Sequence, residues 1–313
     1  MYNGKTVTLV VPALNEGRDI GGVLDSIPEF VDSVIVIDDG STDDTASAAR
    51  EKGAEVISHG RNRGVGAAFE TGRRRALALR SDIMVNMDGD GQFDPADIAK
   101  LVGPVAEGDA EFVTASRFKD PDLYPEMSRT KFLGNRMMSC LISRLTGRRF
   151  HDVSCGFRAY SRAALLRLTL FGEFTYTQET FLEFAFKDVT ILEVPVEVRG
   201  TREHGRSRVA SNLFRYTWQT LKIIVRTMRD YKPLRLFAGV STVLLAVGLI
   251  PAVFLAVHYI RTGSFTPHKW AGFLAGFLFI LSAMSFLLGF ILDMFARMRI
   301  NQEEILAILR KRD

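Results

Sequence analysis

The sequence predicts an α/β protein in which a mixed, mainly parallel sheet is followed by an amphipathic interfacial helix and two transmembrane helices. Three observations indicate this fold class. Short β-branched runs alternate with helical periodicity over residues 6–87. Residues 207–231 mix bulky apolar side chains with basic ones, as interfacial helices do. Two later segments contain no Asp, Glu, Lys or Arg.

The alternation of strands and helices is typical of a parallel sheet. The predicted strands are residues 6–11, 33–38, 54–58, 82–87, 110–118 and 193–198. The predicted helices include residues 64–79 and 128–145. We expect Ser41 or Thr42 to cap the helix after the second strand, and Asp94 with Pro95 to start the helix after the fourth.

The two uncharged segments, residues 236–260 and 270–292, are each long enough to cross a hydrocarbon core of about 30 Å. Ten Lys or Arg residues stand against two acidic ones between Arg199 and Arg235, whereas the connection between the segments carries only Arg261 and Lys269. The positive-inside rule therefore predicts that the large domain and both termini are cytoplasmic. We expect a two-span protein of the cell membrane or of a membrane of the endoplasmic-reticulum type.

These observations divide the chain into four predicted parts. They are a cytoplasmic α/β domain (1–206), a juxtamembrane amphipathic region (207–233), a transmembrane hairpin (234–296) and a cytoplasmic tail (297–313). The net charge of +4 indicates no nucleic-acid partner, because the excess of cations lies beside the membrane, where anionic lipid is the expected partner. Gly272 and Gly276 form a GxxxG pattern that would allow homo-oligomers through the spans. Cys140 and Cys155 lack metal-ligand spacing, and we expect reduced thiols.

Three of the first four predicted strands end in polar motifs, "PALNEG", "DDGSTDD" and "DGDGQ". Open α/β sheets bind ligands at the carboxyl ends of their strands. Asp88 and Asp90 supply two hard oxygen ligands near one point, which suits Mg²⁺ or Mn²⁺. An EF-hand is excluded because Phe93 and Ala99 occupy its obligatory Gly and Glu positions. A solvated acidic turn remains an alternative for this motif taken alone.

Asp38 and Asp39 follow an apolar strand directly, where carboxylates can accept hydrogen bonds from ribose hydroxyls or a base N–H. The stretch "NRGVGAAFETG" supplies glycines around a helix start, which allows close backbone approach to a ligand but also serves packing. It is not a P-loop, because no Gly-Lys-Ser/Thr follows.

The motifs "VVPALNE", "VIVIDDGSTDDT", "NRGVGAA", "MDGDGQFDP", "ASRF" and "SCGFRAY" occur in this order. In order and spacing the chain resembles family-2 glycosyltransferases of the GT-A (Rossmann-like) fold over residues 6–235. The DxDxQ form of the acidic turn, the "REHGRSR" stretch and the C-terminal hairpin are most similar to the polyprenyl-phosphate glycosyltransferases. The QxxRW motif of processive polysaccharide synthases is absent from the sequence.

The resemblance implies a donor site for a nucleoside-diphosphate sugar. The residues that match its nucleotide-binding positions are Pro12, Ala13, Asn15, Glu16, Asp38, Asp39, Gly64 and Asp88. The residues that match its metal motif are Asp88, Asp90 and Gln92. The resemblance further implies that the divalent cation, Mg²⁺ or Mn²⁺, also binds the donor diphosphate and stabilises the departing nucleoside diphosphate.

The implied acceptor is a lipid phosphate, which is largely ionised near neutral pH and therefore needs cationic positioning rather than a strong base. The residues that match acceptor-phosphate positions of the family are Arg117, Arg129, Arg202 and Ser207, with Lys131 or Arg136 as alternatives to Arg129. The predicted catalytic residues are Asp90, Arg117, Arg202 and Glu179. Glu179 is left open between a base, a ligand of the donor sugar and a helix cap.

The predicted function is the inverting transfer of one sugar from GDP-mannose or a UDP-hexose to dolichyl or undecaprenyl phosphate. Two alternatives stay open at this point. A membrane glycosyltransferase with a hydroxyl lipid acceptor would depend on Glu179 as a base. A non-enzymatic membrane protein that binds nucleotide-sugar would have no use for the acceptor arginines.

Overall fold

A computed structural model describes residues 1–169, 176–199 and 213–312. The chain divides into two compact units, Met1–Ile224 and Val225–Asp313. The predicted acceptor residues Arg202 and Ser207 lie outside the described residues. All other predicted site residues lie in the first unit.

The first unit is built on one seven-stranded sheet. Its strands are Val7–Ala13 (β1), Ser33–Asp38 (β2), Glu55–Ser58 (β3), Ile83–Asn86 (β4), Phe112–Ser116 (β5), Arg158–Ser161 (β6) and Ile191–Pro195 (β7). They lie in the order β3-β2-β1-β4-β6-β5-β7. Only β6 runs antiparallel to its two neighbours, β4 and β5. The predicted mixed, mainly parallel sheet is thus confirmed, and the strand that sequence reasoning did not predict is β6.

The helices of this unit connect successive strands. They are Ile20–Asp25 (α1), Thr45–Glu51 (α2), Val65–Ala78 (α3), Ile98–Glu107 (α4), Arg129–Thr146 (α5), Arg162–Arg167 (α6) and Thr177–Phe186 (α7). Asp94 accepts a hydrogen bond from Ala96 N–H (2.9 Å) in a single turn that leads into α4, as predicted. The predicted cap of α2 is wrong. This helix begins at Thr45, and Ser41 and Thr42 instead hold the loop after β1.

The core lies against β1, whose Val7, Leu9 and Val11 are fully buried. Burial of such a side chain stabilises the fold by about 1.5–3 kcal/mol. On the opposite face, α3 crosses β1 so closely that a Cβ built at Gly72 would lie 2.2 Å from Val10 Cγ1. Gly72, the last glycine of "NRGVGAAFETG", therefore serves helix–sheet packing.

The C-terminal part of the chain is helical, with α8 (Leu213–Tyr231), α9 (Pro233–Thr262) and α10 (Lys269–Arg312). The predicted spans lie within α9 and α10, and both helices have the length and apolar composition needed to cross a membrane. They pack on each other through small residues. A Cβ at Gly248 would lie 3.0 Å from the Phe279 ring, and a Cβ at Gly272 would lie 2.9 Å from Leu255 Cδ2. Of the two glycines in the GxxxG pattern, Gly272 thus packs against α9, whereas Gly276 has open space around it.

Candidate active site

The carboxyl ends of β2, β1 and β4 form one edge of the sheet. Ala13 is in register with Asp38, and Asp39 N–H donates to Ala13 O (2.9 Å). On the other side of β1, Met87 N–H donates to Val10 O (3.1 Å). The loops after these three strands therefore leave the sheet side by side. The last residues of these strands and the loops after them carry most of the predicted donor residues, namely Pro12, Ala13, Asn15, Glu16, Asp38, Asp39, Asp88 and Asp90.

The loop after β1 is held in place by residues that follow β2. Asn15 adopts a positive φ of 53°, a conformation that Asn tolerates better than most residues. Its N–H donates to Ser41 Oγ (2.9 Å), and its Oδ1 accepts from Thr42 N–H (2.7 Å). Glu16 N–H donates to Thr45 Oγ1 (2.9 Å). Ser41 and Thr42 thus fix the first predicted nucleotide loop.

Asp38 and Asp39 are both buried, but they have different surroundings. Asp39 accepts three hydrogen bonds, from His59 Nδ1 (2.7 Å), Arg63 N–H (2.9 Å) and Gly64 N–H (2.8 Å). Within the described part of the chain, Asp38 accepts one side-chain hydrogen bond, at Oδ1 from Ser41 N–H (2.9 Å). Asp38 Oδ2 therefore keeps acceptor capacity for a ligand, whereas Asp39 mainly positions the loop that leads into α3.

His59 completes this arrangement and was missed by the sequence analysis. Its Nδ1 faces the Asp39 carboxylate, and its Nε2 lies 2.9 Å from Thr71 Oγ1. The Thr71 hydroxyl also donates to Ala67 O (3.0 Å) within α3. His59 thus links the Asp39 carboxylate to α3.

Two glycines allow the loops after β2 and β3 to meet. Gly40 has a φ of 81°, and a Cβ there would lie 2.7 Å from the backbone C of Arg61 and N of Asn62. Gly64 has a φ of 93° and stands at the N-cap of α3, with its N–H on Asp39. The positive φ favours glycine at both positions, and the close backbone contact further requires it at Gly40.

The acidic turn after β4 is shaped by its own glycines. A Cβ at Gly89 would lie 2.9 Å from Ile20 Cδ1, and Gly91 has a φ of 69°. Asp90 is 3% exposed, and its Oδ1 accepts from Gln92 N–H (3.1 Å), while Asp88 is half-buried. The turn is therefore folded against the core rather than a solvated loop.

The donor set of this turn fits a divalent cation that is shared with an anionic ligand. Asp88 and Asp90 offer hard carboxylate oxygens, as Mg²⁺ and Mn²⁺ prefer. Among the described residues, no group of three or more His, Cys, Asp or Glu side chains gathers that could hold a metal ion. Two protein carboxylates leave coordination positions for oxygens of another molecule, such as a diphosphate.

Gln92 joins the acidic turn to the segment after β7. Its Nε2 donates to Arg199 O (3.0 Å), and Arg199 N–H donates to Gln92 O (3.1 Å). The amide nitrogen of Gln92 is therefore occupied by its hydrogen bond to Arg199. If Gln92 is a metal ligand, as predicted, it would bind the cation through Oε1. Arg199 directly precedes the stretch that contains Arg202 and Ser207.

The "SCGFRAY" motif reaches the other side of the turn. A Cβ at Gly156 would lie 3.0 Å from Asp88 Oδ2. Asn86 Nδ2 donates to Gly156 O (3.0 Å) and to Tyr176 OH (2.7 Å). Burial, together with the negative charge of Asp88, raises the pKa of Tyr176 well above its usual value. Burial also raises the pKa of the Cys155 thiol to about 12, which makes this cysteine unreactive.

Arg158 fixes this motif from inside the core. Its fully buried guanidinium donates to Cys155 O (2.7 Å), Val153 O (3.2 Å) and Thr177 O (3.1 Å). It also lies 5.1 Å from the centre of the Phe181 ring. Arg158 thereby ties the loop beside Asp88 to the start of α7.

Arg117, predicted to bind the acceptor phosphate, forms a bidentate ion pair with Asp152. Nε and Nη2 of Arg117 lie 2.6 and 3.0 Å from the two carboxylate oxygens, and Asp152 is fully buried. Burial alone would raise the pKa of Asp152, but the charge and hydrogen bonds of Arg117 lower it below its usual value. Asp152 N–H in turn donates to Glu193 Oε1 (2.8 Å). The structure thus places Arg117 in a buried network rather than as a solvated cation.

The two remaining predicted residues stand at helix starts. Arg129 is the first residue of α5, follows the capping residue Ser128 and is exposed. Glu179 lies in the first turn of α7 and is 4% exposed. Its neighbour Gln178 donates through Nε2 to Ser154 Oγ (3.4 Å). Glu179 does not occupy the N-cap of α7, which is Tyr176.

Residues 8–169, more than half of the 313 residues, match the model of glycosyl transferase family 2. The chain belongs to this family. The chain is also similar to a UDP-N-acetylglucosamine–dolichyl-phosphate N-acetylglucosaminyltransferase of Methanococcus voltae, with 35% identity over 51% of this chain and 71% of the relative. A dodecaprenyl-phosphate galacturonate synthase of Rhizobium johnstonii is 27% identical over 80% of this chain and 75% of the relative.

Among solved structures, the chain is similar to glucosyl-3-phosphoglycerate synthase of Mycobacterium tuberculosis in complex with Mn²⁺ and UDP-glucose. The TM-score is 0.56, with 28% identity over 72% of this chain and 79% of the synthase. Together with the sheet topology, this similarity shows the GT-A fold that the sequence motifs predicted.

Proposed function

We propose that this family-2 glycosyltransferase moves one sugar from a nucleoside-diphosphate sugar to a polyprenyl phosphate, with inversion at the anomeric carbon and with a divalent cation. The donor is GDP-mannose or a UDP-hexose, and the acceptor is dolichyl or undecaprenyl phosphate. The observation that carries the proposal is that Asp38 and the Asp88–Asp90 turn lie at the same edge of the sheet, on the two sides of β1. The names of the two relatives support a polyprenyl phosphate as acceptor.

The donor half of the proposed site binds the nucleotide between the first three loops. In this proposal Asp38 Oδ2 accepts a hydrogen bond from the nucleoside, and the loops that contain Asn15 and Gly64 are held beside it by hydrogen bonds to Ser41 and Asp39. Asp88 and Asp90, with Gln92 Oε1, would hold Mg²⁺ or Mn²⁺. When bound, the cation would neutralise the donor diphosphate and stabilise the charge on the leaving nucleoside diphosphate.

The acceptor side of the proposed site positions the lipid phosphate anion and does not need to remove a proton from it. An oxygen of the lipid phosphate forms the new bond to the anomeric carbon, and the bond to the donor diphosphate breaks on the opposite face, which inverts the configuration. The attacking oxygen carries no proton, so this step requires no general base. Arg129 is exposed and suited to the phosphate, whereas Arg117 supports the site through its pair with Asp152.

The two long apolar helices would hold the enzyme where its lipid substrate is. We propose that α9 and α10 span the membrane with both termini on the cytoplasmic side, because the basic residues cluster between Arg199 and Arg235. Self-association through these helices stays a prediction.

Transfer by the purified full-length protein tests the proposal. The assay would offer a panel of nucleoside-diphosphate sugars and a polyprenyl phosphate, with Mn²⁺ or Mg²⁺. Asp90→Asn removes a charge worth several kcal/mol of transition-state stabilisation, so turnover should fall roughly 10²- to 10³-fold. Asp94→Asn is the matched control. It changes a nearby exposed aspartate whose capping bond Asn can replace, and it should leave turnover unchanged. Equal turnover of the two variants would contradict the proposed role of the turn.

A further inference from the structure

Helix α5 exposes a row of apolar side chains that no part of the described chain covers. Leu133, Met137 and Leu141 are 59%, 64% and 38% exposed. Their spacing of four residues places them on one side of the helix. Ser139 and Ile142 are buried on the opposite side. The helix therefore has an apolar row on the side that faces away from the core, in addition to its buried side.

The charge of α5 indicates which kind of partner its exposed apolar row would bind. The helix contains no Asp or Glu, and its basic residues are Arg129, Lys131, Arg136 and Arg144. None of these four forms an ion pair within the described residues, whereas the neighbouring Arg117 and Arg148 are paired with Asp152 and Asp188. An apolar row flanked by unneutralised cations is complementary to an anionic lipid surface.

The helix is held firmly enough to present this surface in one orientation. Ser128 caps its start and Gly147, with a φ of 74°, ends it. Phe150 N–H donates to Ser143 Oγ (2.9 Å) on the inner side. Phe118 and Phe132 pack edge to face, with ring centres 5.4 Å apart. The exposed row is thus a fixed feature of the folded domain.

We propose that α5 is a membrane-docking helix whose Leu133, Met137 and Leu141 enter the boundary between the headgroups and the acyl chains of an anionic bilayer. Its arginines and lysine contact lipid phosphates at the same depth. This surface belongs to the sheet-containing unit and is separate from α9 and α10 in sequence. The inference goes beyond sugar transfer, because it holds for the protein whether or not a donor is bound.

Cys140 offers a native probe beside the exposed row. It is exposed, whereas the second cysteine, Cys155, is 1% exposed and has a pKa raised by burial to about 12. A fluorescent thiol label on the full-length protein therefore reports from Cys140. In nanodiscs of phosphatidylcholine and phosphatidylglycerol, lipids with brominated acyl chains should quench most of its fluorescence relative to unbrominated lipids. Full fluorescence in both nanodiscs would overturn the proposal.

Matched variants test whether the exposed apolar row itself docks on the membrane or whether Cys140 merely lies near it. Leu133→Gln with Met137→Gln and Leu141→Gln should remove the quenching, while Leu133→Met with Met137→Leu and Leu141→Met should keep it. A label on Glu51→Cys in a Cys140→Ser background should stay bright, because Glu51 is an exposed polar position of α2. Quenching that persists unchanged in the glutamine variant would overturn the proposal.

A second copy of the chain is the competing occupant of this surface. It would give crosslinking between Cys140 residues of two copies, together with an absence of lipid quenching, and this outcome would also overturn the proposal. The fluorescence readout requires no turnover. An inactive but quenched protein would therefore contradict the proposed function alone, and an active but unquenched one would contradict docking alone.

Discussion

The ion pair of Arg117 and Asp152 allows a quantitative prediction about a residue that the sequence assigned to the acceptor. Arg117→Met leaves the fully buried Asp152 carboxylate with backbone donors only, from Arg117 and Ser154. Breaking a buried pair by removal of one partner costs about 3–5 kcal/mol. For a domain of this size each kcal/mol lowers the melting temperature by about 2–4 °C, so we expect a decrease of roughly 6–20 °C.

A double-mutant cycle in a thermal-unfolding assay tests this prediction. Arg117→Met, Asp152→Asn and the double variant would be compared with the unchanged protein in one detergent. Because the two side chains act as a unit, the double variant should be more stable than Arg117→Met alone. If the melting temperature of Arg117→Met stays within about 2 °C, which corresponds to 1 kcal/mol or less, the pair is not structural and the reasoning is refuted.

The same pair predicts the response to acid. The pKa of Asp152 is lowered in the folded protein relative to its usual value of 3.8. Because the pKa of Asp152 is lower in the folded than in the unfolded protein, the ionised carboxylate stabilises the fold at pH values above its pKa in the unfolded protein. This stabilisation is lost as the pH falls through its pKa in the folded protein. The stability difference between the unchanged protein and Asp152→Asn should therefore be constant above pH 5 and shrink below about pH 4. A difference that does not change between pH 5 and pH 3 would contradict this assignment.

Three further predictions concern the donor loops and the acceptor chemistry. Asp38→Asn should raise the KM for the nucleotide-sugar roughly 10- to 100-fold, because a charged hydrogen bond is worth about 1.5–3 kcal/mol, with little change in melting temperature; an unchanged KM would remove Asp38 from the nucleotide site. Gly40→Ala should destabilise the protein by roughly 1–3 kcal/mol more than Gly53→Ala. Gly53 has a similar φ of 80° but open space around it, so equal effects would mean that the contact at Gly40 is unimportant. Glu179→Gln should keep near-normal transfer to a polyprenyl phosphate, and a loss of about 10²-fold or more would favour the hydroxyl-acceptor alternative.

The strands of the nucleotide half were predictable because their signals are local. β2 was predicted with its observed bounds, and β1, β3 and β4 within two residues, from β-branched runs that end in polar turns. β6 was not predictable in this way. Its four residues begin with Arg158, and a buried arginine is tolerated in a strand only where carbonyls and rings from other segments surround it.

The site also contains features that adjacent residues predict and features that depend on residues far away in the chain. The acidic turn could be predicted as a metal site once Asp88 and Asp90 were considered together with the other strand ends and motifs, whereas the motif taken alone left a solvated turn as an alternative. The wrong cap of α2 arose because Ser41 bonds to Asn15, which is 26 residues away. The partner of Arg117 lies 35 residues along the chain. His59 carries no motif, and only the fold places it between Asp39 and Thr71.

The chemical form of the acceptor is the central claim of the proposed function. The most direct measurement is mass spectrometry of the lipid products when one nanodisc preparation, with one donor and Mn²⁺, contains equal amounts of a polyprenyl phosphate and the matching polyprenol. The proposal predicts a glycosylated polyprenyl phosphate and no glycosylated polyprenol, because a phosphate oxygen attacks without a base. A glycosylated polyprenol as the main product would contradict it.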